Sequence, residues 1–265
     1  MSYSEILYEV KSGTAWITMN KPERLNAFSM EMIDEIHAAL KAAQADDAVR
    51  CVAITGAGRG FCAGANLGGG EEGPKPGEAG YDAGSALEKH YNPMILSLRD
   101  LTKPTVAAVN GPCAGAGMSL ALACDIIIAG RSASFLQAFC NIGLVPDAGS
   151  TWHLPRQIGR ARALGMTMLG GKVPAEQALE WGMIWQIAED DALIVDAEKI
   201  TGKLAQMPTR GLGLIRQAMR QAEENDLEAQ LTVERNYQSE AGQTEDFAEG
   251  VNAFLNKRKP EFKGR

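Results

Sequence analysis

Three apolar runs of strand length, separated by segments of helical periodicity, predict an α/β protein. The runs are residues 50–55 (RCVAIT), 105–109 (TVAAV) and 125–129 (DIIIA). Near-continuous apolar runs are what strands buried on both faces require. From Ile194 onward the pattern is almost wholly helical, as in Leu214, Ile215, Ala218 and Met219. The 265 residues therefore divide into an α/β core over 1–190 and a helical C-terminal segment over 191–265.

The elements follow in order. Residues 1–13 alternate polar and apolar and carry Glu5 and Glu9, the pattern of a strand and not of a secretory leader. Residues 14–19 are a second strand, and 20–24 (NKPER) a turn. Ser29 has the chemistry of an N-cap, with Glu31 in the first turn and Met30, Ile33, Ile36 and Leu40 at helical spacing behind it. The strand at 50–55 breaks at 56–60 (GAGRG). Residues 68–84 hold seven glycines and two prolines, which predicts a mobile excursion of the kind that covers sites. A helix is expected over 87–101, after Pro93, then a strand at 105–109, a glycine-rich turn at 110–117 and an apolar helix at 118–124. Pro174 and Gly182 bracket a further short helix. No internal repeat recurs at a fixed period.

Composition limits the function classes. Apolar residues make up 45% of the chain and charged ones 22%, a globular balance. A formal charge of −7 argues against nucleic acid as the main partner, because phosphate binding needs a broad cationic face. The uncharged run 104–124 reaches the length of a membrane span, but Asn110, two prolines and three glycines interrupt it, so no membrane is expected. Cys51, Cys62, Cys113, Cys124 and Cys140 form no C-x-x-C pair or zinc spacing. No metal is expected. Unpaired thiols in apolar stretches fit a reducing compartment, and the expected location is the cytoplasm.

Two phosphate motifs fail. Gly56 and Gly58 begin a dinucleotide fingerprint, but its third glycine is Phe61. Gly171-Lys172 is followed by Val173, which has no hydroxyl for magnesium. A third pattern, residues 117–121 (GMSLA), approaches the G-x-S-x-G elbow of serine hydrolases. Ser119 would then need Asp147 and His153 as partners, crowded within six residues of each other, so the hydrolase stands only as a rival reading.

Two turns carry chemistry. Residues 60–65 (GFCAGA) and 111–117 (GPCAGAG) each follow a buried strand and consist largely of residues with little side chain, so backbone N–H groups can approach a ligand. The second turn feeds a helix N-terminus, whose unpaired N–H groups favour a developing anion. Two such donors converging on a carbonyl oxygen make an oxyanion hole, worth about 3 kcal/mol per donor.

These turns, with residues 20–27 (NKPERLNA), 107–117 (AAVNGPCAGAG) and 144–149 (LVPDAG), resemble the crotonase (enoyl-CoA hydratase/isomerase) superfamily in order and spacing over nearly the whole chain. The resemblance implies a spiral of β-β-α turns with a helical C-terminal segment. It also implies an acyl-CoA substrate, with no cofactor beyond the CoA that the substrate carries. It assigns the oxyanion donors to the N–H groups of Ala65 and Ala116, and the adenine and pantetheine pocket to Arg24, Leu25, Ala27 and Ala63. Asn66 stands where many members have aspartate.

The positions of the family's two hydratase glutamates fall on Ser119 and Phe139, neither of which can activate water. Hydration is therefore not expected. Asp147 occupies the place where family isomerases often keep a single working carboxylate. Without the resemblance, an aspartate in P-D-A-G reads as a turn residue. Apolar neighbours such as Phe139, Leu144 and Trp152 are expected to raise its pKa by desolvation.

Residues 144–152, 178–185, 211–215 and 254–262 look like the branch of the family that isomerises ring-epoxidised phenylacetyl-CoA and shifts a 3,4 double bond to 2,3. Phe139 and Trp152, near Asp147, suit an aromatic acyl group. The alternatives are a Δ3,Δ2-enoyl-CoA isomerase of fatty-acid oxidation and a catalytically idle assembly subunit. Residues 257–265 carry five cations against one anion, a local patch for CoA phosphates. By resemblance, Lys257 and Phe262 reach a neighbouring subunit's adenine site, in a homotrimer or homohexamer assembled through the C-terminal helices.

Overall fold

The computed structural model describes residues 3–67, 78 and 82–265. Of the excursion expected over 68–84, all but residues 78 and 82–84 lies outside the described residues.

The chain opens with a hairpin of β1 (Ile6–Lys11) and β2 (Thr14–Met19), turned by Ser12 and Gly13 at φ +51° and +78°. Two successive positive φ angles are what a two-residue turn matching the strand twist demands. Next come α1 (Met30–Ala45), capped by Ser29 Oγ accepting from Met32 N at 3.1 Å, and β3 (Cys51–Gly56). Then α2 (Ala83–Ala86), a π-helical turn at Leu87–Tyr91 and α3 (Asn92–Asp100) run on from one another.

The core continues with β4 (Thr105–Val109), β5 (Pro112–Ala114), α4 (Gly115–Leu122), β6 (Ile126–Gly130) and β7 (Ser134–Leu136). After a 3-10 turn at Ala138–Ile142 come α5 (Ser150–Ile158), α6 (Arg160–Leu169), β8 (Lys172–Pro174), α7 (Ala175–Glu180) and β9 (Gln186–Ala188). Four helices complete the chain: α8 (Leu193–Gln206), α9 (Thr209–Ala222), α10 (Leu227–Ala241) and α11 (Glu245–Leu255).

One sheet has the order β1-β2-β3-β4-β6-β9, parallel throughout except for the first hairpin; the other has the order β5-β7-β8. The chain passes from the large sheet to the small one and into a helix, as in β4-β5-α4, which is the expected β-β-α spiral. Large buried side chains such as Phe28, Ile33, Ile54, Met94 and Phe135 fill the space on one face. On the other face Leu193 and Ala197 of α8 pack against Val106, Ala108 and Ile128, so this first helix beyond residue 190 covers the sheet.

The structure differs from expectation in three respects. The helix expected over 87–101 starts at Ala83 and passes through Pro93. Proline lacks an N–H and collides with the carbonyl one turn back; the wider π turn, in which Asn92 N donates to Leu87 O, makes room for it. Within the glycine-rich turn, residues 112–114 form β5 and the helix begins already at Gly115. Strands β5, β7, β8 and β9 each span three residues, too short for any period to show.

Candidate active site

Parallel strands β3 and β4 end side by side, which delivers the two turns expected to carry chemistry to one edge of the sheet. Asparagine side chains pin them. Asn26 Nδ2 donates to Ala57 O and Gly60 O at 3.0 and 2.8 Å, and Asn110 Nδ2 donates to Gly56 O and Gly58 O, both at 2.8 Å. A parallel bridge between Cys62 and Cys113 then zips the turns together. Ala114 N donates to Cys62 O at 2.9 Å and Cys62 N to Pro112 O at 3.2 Å.

One step beyond the bridge the backbones meet. A Cβ on Gly64 would lie 3.1 Å from Ala114 O and 3.6 Å from Gly115 Cα. Ala65 and Ala116 follow directly. Phe28 N donates to Gly64 O and Asn66 N to Phe28 O, both at 2.8 Å, so the strand-like pairing skips the Ala65 N–H. Ala116 is the second residue of α4, a wholly buried helix with no side-chain cap. First-turn N–H groups of a helix have no intrahelical acceptor, and here their partial positive charge meets the turn that carries Ala65.

Phe139 is buried with its ring edge 3.8 Å from where a Gly115 Cβ would stand, directly against this junction. Leu144 N donates to Phe139 O at 2.9 Å, closing the loop that leads to Asp147. Ala148 and Gly149, at φ +49° and +83°, reverse the chain after Asp147 and start α5, with Ser150 N donating to Asp147 O at 2.9 Å. Asp147 is half-buried and its Oδ1 is sealed from solvent without a hydrogen-bond partner. Burial raises its pKa to about 6.

Other expected residues fall in different places. Ala63 N donates to Leu25 O at 3.0 Å, which brings the Leu25 and Ala27 turn onto Ala63. Arg24 is held in a fork by Glu5, at 2.7 and 2.8 Å. Arg156 stacks on the Trp152 ring at 4.2 Å, Arg99 lies at 5.7 Å from it, and His153 meets it edge-on. Phe262 folds back on its own α11, 3.4 Å from where a Gly250 Cβ would lie, and Lys257 is exposed at the start of that tail.

Ser119 is fully buried, and its hydroxyl donates to Gly115 O at 3.3 Å. A hydroxyl has one proton to give, so no imidazole receives it and the hydrolase arrangement is not assembled. Burial also holds His153 at about 4, with Arg99 and Arg156 adding to the effect.

The profile of the enoyl-CoA hydratase/isomerase family matches residues 9–265. The chain belongs to that family. It is 50% identical to 1,2-epoxyphenylacetyl-CoA isomerase of Escherichia coli (strain K12) over 98% of both chains. It is also 43% identical to a probable enoyl-CoA hydratase of Rhodobacter capsulatus over the full length of each. A crystal structure of a putative enoyl-CoA hydratase/isomerase from Mycobacterium abscessus superposes with a TM-score of 0.90 at 37% identity, covering 98% of this chain and all of the other. The fold is the crotonase fold.

For this family member, sequence reading missed two kinds of residue. Asn26 and Asn110 serve as scaffold, legible only as polar residues in turns. Gln137, fully buried beyond β7 with neither amide atom partnered, is marked in sequence only as the polar residue within FLQAF. Among the described residues no helix is long and apolar enough to cross a membrane.

Proposed function

We propose that the chain is an acyl-CoA isomerase in which Asp147 moves a proton while the main-chain N–H groups of Ala65 and Ala116 hold the thioester oxygen. The single observation that carries this reading is Asp147: a half-buried carboxylate with an unpartnered oxygen and a pKa of about 6. A group poised there is ionised often enough to take a proton and basic enough to be worth using near neutral pH.

The steps balance without water or a redox partner. The Asp147 carboxylate takes a proton from C2 of a 3,4-enoyl thioester, and the electron pair moves onto the thioester oxygen as an enolate. The two N–H donors stabilise that oxyanion. The protonated Asp147 then delivers the same proton to C4 as the electrons return, leaving a 2,3 double bond. With Ser119 and Phe139 at the hydratase positions, nothing activates water for addition.

The preferred substrate is ring-1,2-epoxyphenylacetyl-CoA, converted to its oxepin isomer; the 50% identity to the Escherichia coli isomerase and the aromatic wall at Phe139 support it. The straight-chain Δ3,Δ2 isomerase is separated by turnover of 3-enoyl-CoA against the aromatic epoxide. Arg24, Leu25, Ala27 and Ala63 form the adenine and pantetheine pocket. Lys257 and Phe262 belong to the adenine site of a neighbouring copy in a trimer or hexamer, a cytoplasmic assembly. Exposed apolar residues on the C-terminal helices, Phe254 at 81% and Leu255 at 70% among them, supply its interface.

The test is exchange of the α-proton of a phenylacetyl-type thioester into deuterated solvent. We expect exchange in the wild type and a rate lower by about 100-fold or more in Asp147→Ala. Equal rates would remove Asp147 from the chemistry.

A further inference from the structure

Unpartnered buried polar atoms concentrate in one stretch of this chain. Between residues 137 and 150 stand Gln137 Nε2 and Oε1, Asp147 Oδ1 and Ser150 Oγ, all sealed from solvent without a protein hydrogen bond. Asp147 has a role in the reaction proposed above. Gln137 has none, yet its side chain is the more completely enclosed, with the residue wholly buried.

The register places Gln137 beside the oxyanion turn. Strands β5 and β7 pair in parallel with Ala114 opposite Leu136, so the next residues along, Gly115 and Gln137, stand abreast where α4 begins. Phe139, two residues on, lies with its ring against Gly115. Side chains alternate along a strand, and the fully buried Phe135 and Gln137 share the inward side while Leu136 faces the other way. An apolar side chain of equal volume would fill that space with no stranded donor or acceptor, and a buried amide without partners is destabilising.

We infer that Gln137 is a positioning residue of the active site, its carboxamide holding a hydroxylic partner, one that both donates and accepts, against the first turn of α4. That partner keeps the N-terminal N–H groups aimed at the thioester oxygen. It is an ordered water resident in the free enzyme. A water offers both the acceptor for Nε2 and the donor for Oε1 that the protein withholds. The inference rests on the oxyanion assignment of Ala116.

The test uses the full-length enzyme with Gln137→Met, which matches volume without hydrogen bonding, and Gln137→Asn, which keeps the amide one methylene shorter. Gln137→Met should fold with a Tm close to that of the wild type, since it matches volume and removes an amide that no protein group partners. Its kcat should fall by about tenfold or more with KM changed by less than about threefold, as misaimed donors predict. The absorbance of bound cinnamoyl-CoA, red-shifted when its carbonyl is polarised, should shift less in Gln137→Met than in the wild type, with Gln137→Asn between them.

Crystals of the free and the cinnamoyl-CoA-bound enzyme test the partner: density of a water on the Gln137 amide is expected in the free enzyme and should persist in the complex. Wild-type kcat and red shift in Gln137→Met, or no density in either crystal, overturns the inference. Asp147→Asn distinguishes a failure of the underlying reading, because it should abolish turnover while leaving the cinnamoyl red shift intact. A red shift absent even from wild type would discard the oxyanion assignment itself.

Discussion

Cys62 and Cys113 face each other across a parallel backbone bridge, and neither thiol joins the two turns; the main chain does, through Ala114 N to Cys62 O at 2.9 Å. The bridge leaves little room above it. A Cβ on Gly117 would lie 2.5 Å from Cys62 Cβ.

Gly117→Ala should therefore push α4 off the 60–65 turn. We expect a loss of about 1–3 kcal/mol in stability from overpacking. The N–H of Ala116 moves with the helix, so kcat should fall by about tenfold or more. Adding Cys62→Gly should recover part of both, measured by chemical denaturation and steady-state kinetics in a double-mutant cycle.

The Asp147 carboxyl, raised to about 6 by burial, sets the acid limb of the rate profile. Only the ionised form can take a proton, so kcat/KM should decline as pH falls below about 6. In Asp147→Asn the limb should vanish, with activity lower by about 10²–10⁴-fold. A wild-type limb that persists in the variant would assign it to another group.

Stability should move the opposite way. Burial raises the folded-state pKa of Asp147 above the unfolded value, so the folded protein holds this proton more tightly. Its contribution is most favourable below the unfolded pKa and declines as pH rises towards about 6, above which a half-buried charge must be carried. Asp147→Asn should thus be more stable than wild type at pH 8, by about 2 kcal/mol after allowance for partial exposure, and nearly equal to it at pH 4. Thermal unfolding at the two pH values checks this.

Thiol reactivity gives an independent check on the core. Cys51, Cys62, Cys113 and Cys124 are buried, and burial pushes Cys62 and Cys124 up to about 12 and the other two in the same direction. Cys140 is the partly exposed thiol. A disulfide reagent at pH 8 should titrate one thiol rapidly in the native protein and all five after denaturation.

Carboxylates of α11 tie down the C-terminal tail: Glu249 accepts from Glu261 N at 2.8 Å and from Arg258, and Asp246 holds the last residues. Asp246, almost fully buried, accepts from Lys263 N at 2.6 Å and Gly264 N at 2.7 Å, while Arg50 donates to Phe262 O at 2.8 Å. Asp246→Ala should release residues 258–265 to limited proteolysis and lower stability by about 1–3 kcal/mol. An intact tail under protease would show that Arg50 and Glu249 suffice without Asp246.

Much of the α/β order was legible in residue pattern. Strands β2 and β4 and the Ser29 cap of α1 stand where periodicity and cap chemistry put them, because each is decided within a few neighbouring residues. The order of motifs also disclosed the family, and with it Asp147 as a carboxylate in an otherwise hydratase-like frame. What local chemistry could not decide was which groups would end up without partners. Trp152 went to two arginines and Arg24 to Glu5, while Asp147 Oδ1 and the Gln137 amide went to none. The three-residue strands that set Gly115 beside Gln137 have no period to read. Pairing, burial and the electrostatics that follow from them are properties of distant segments brought together, and only the folded chain assigns them.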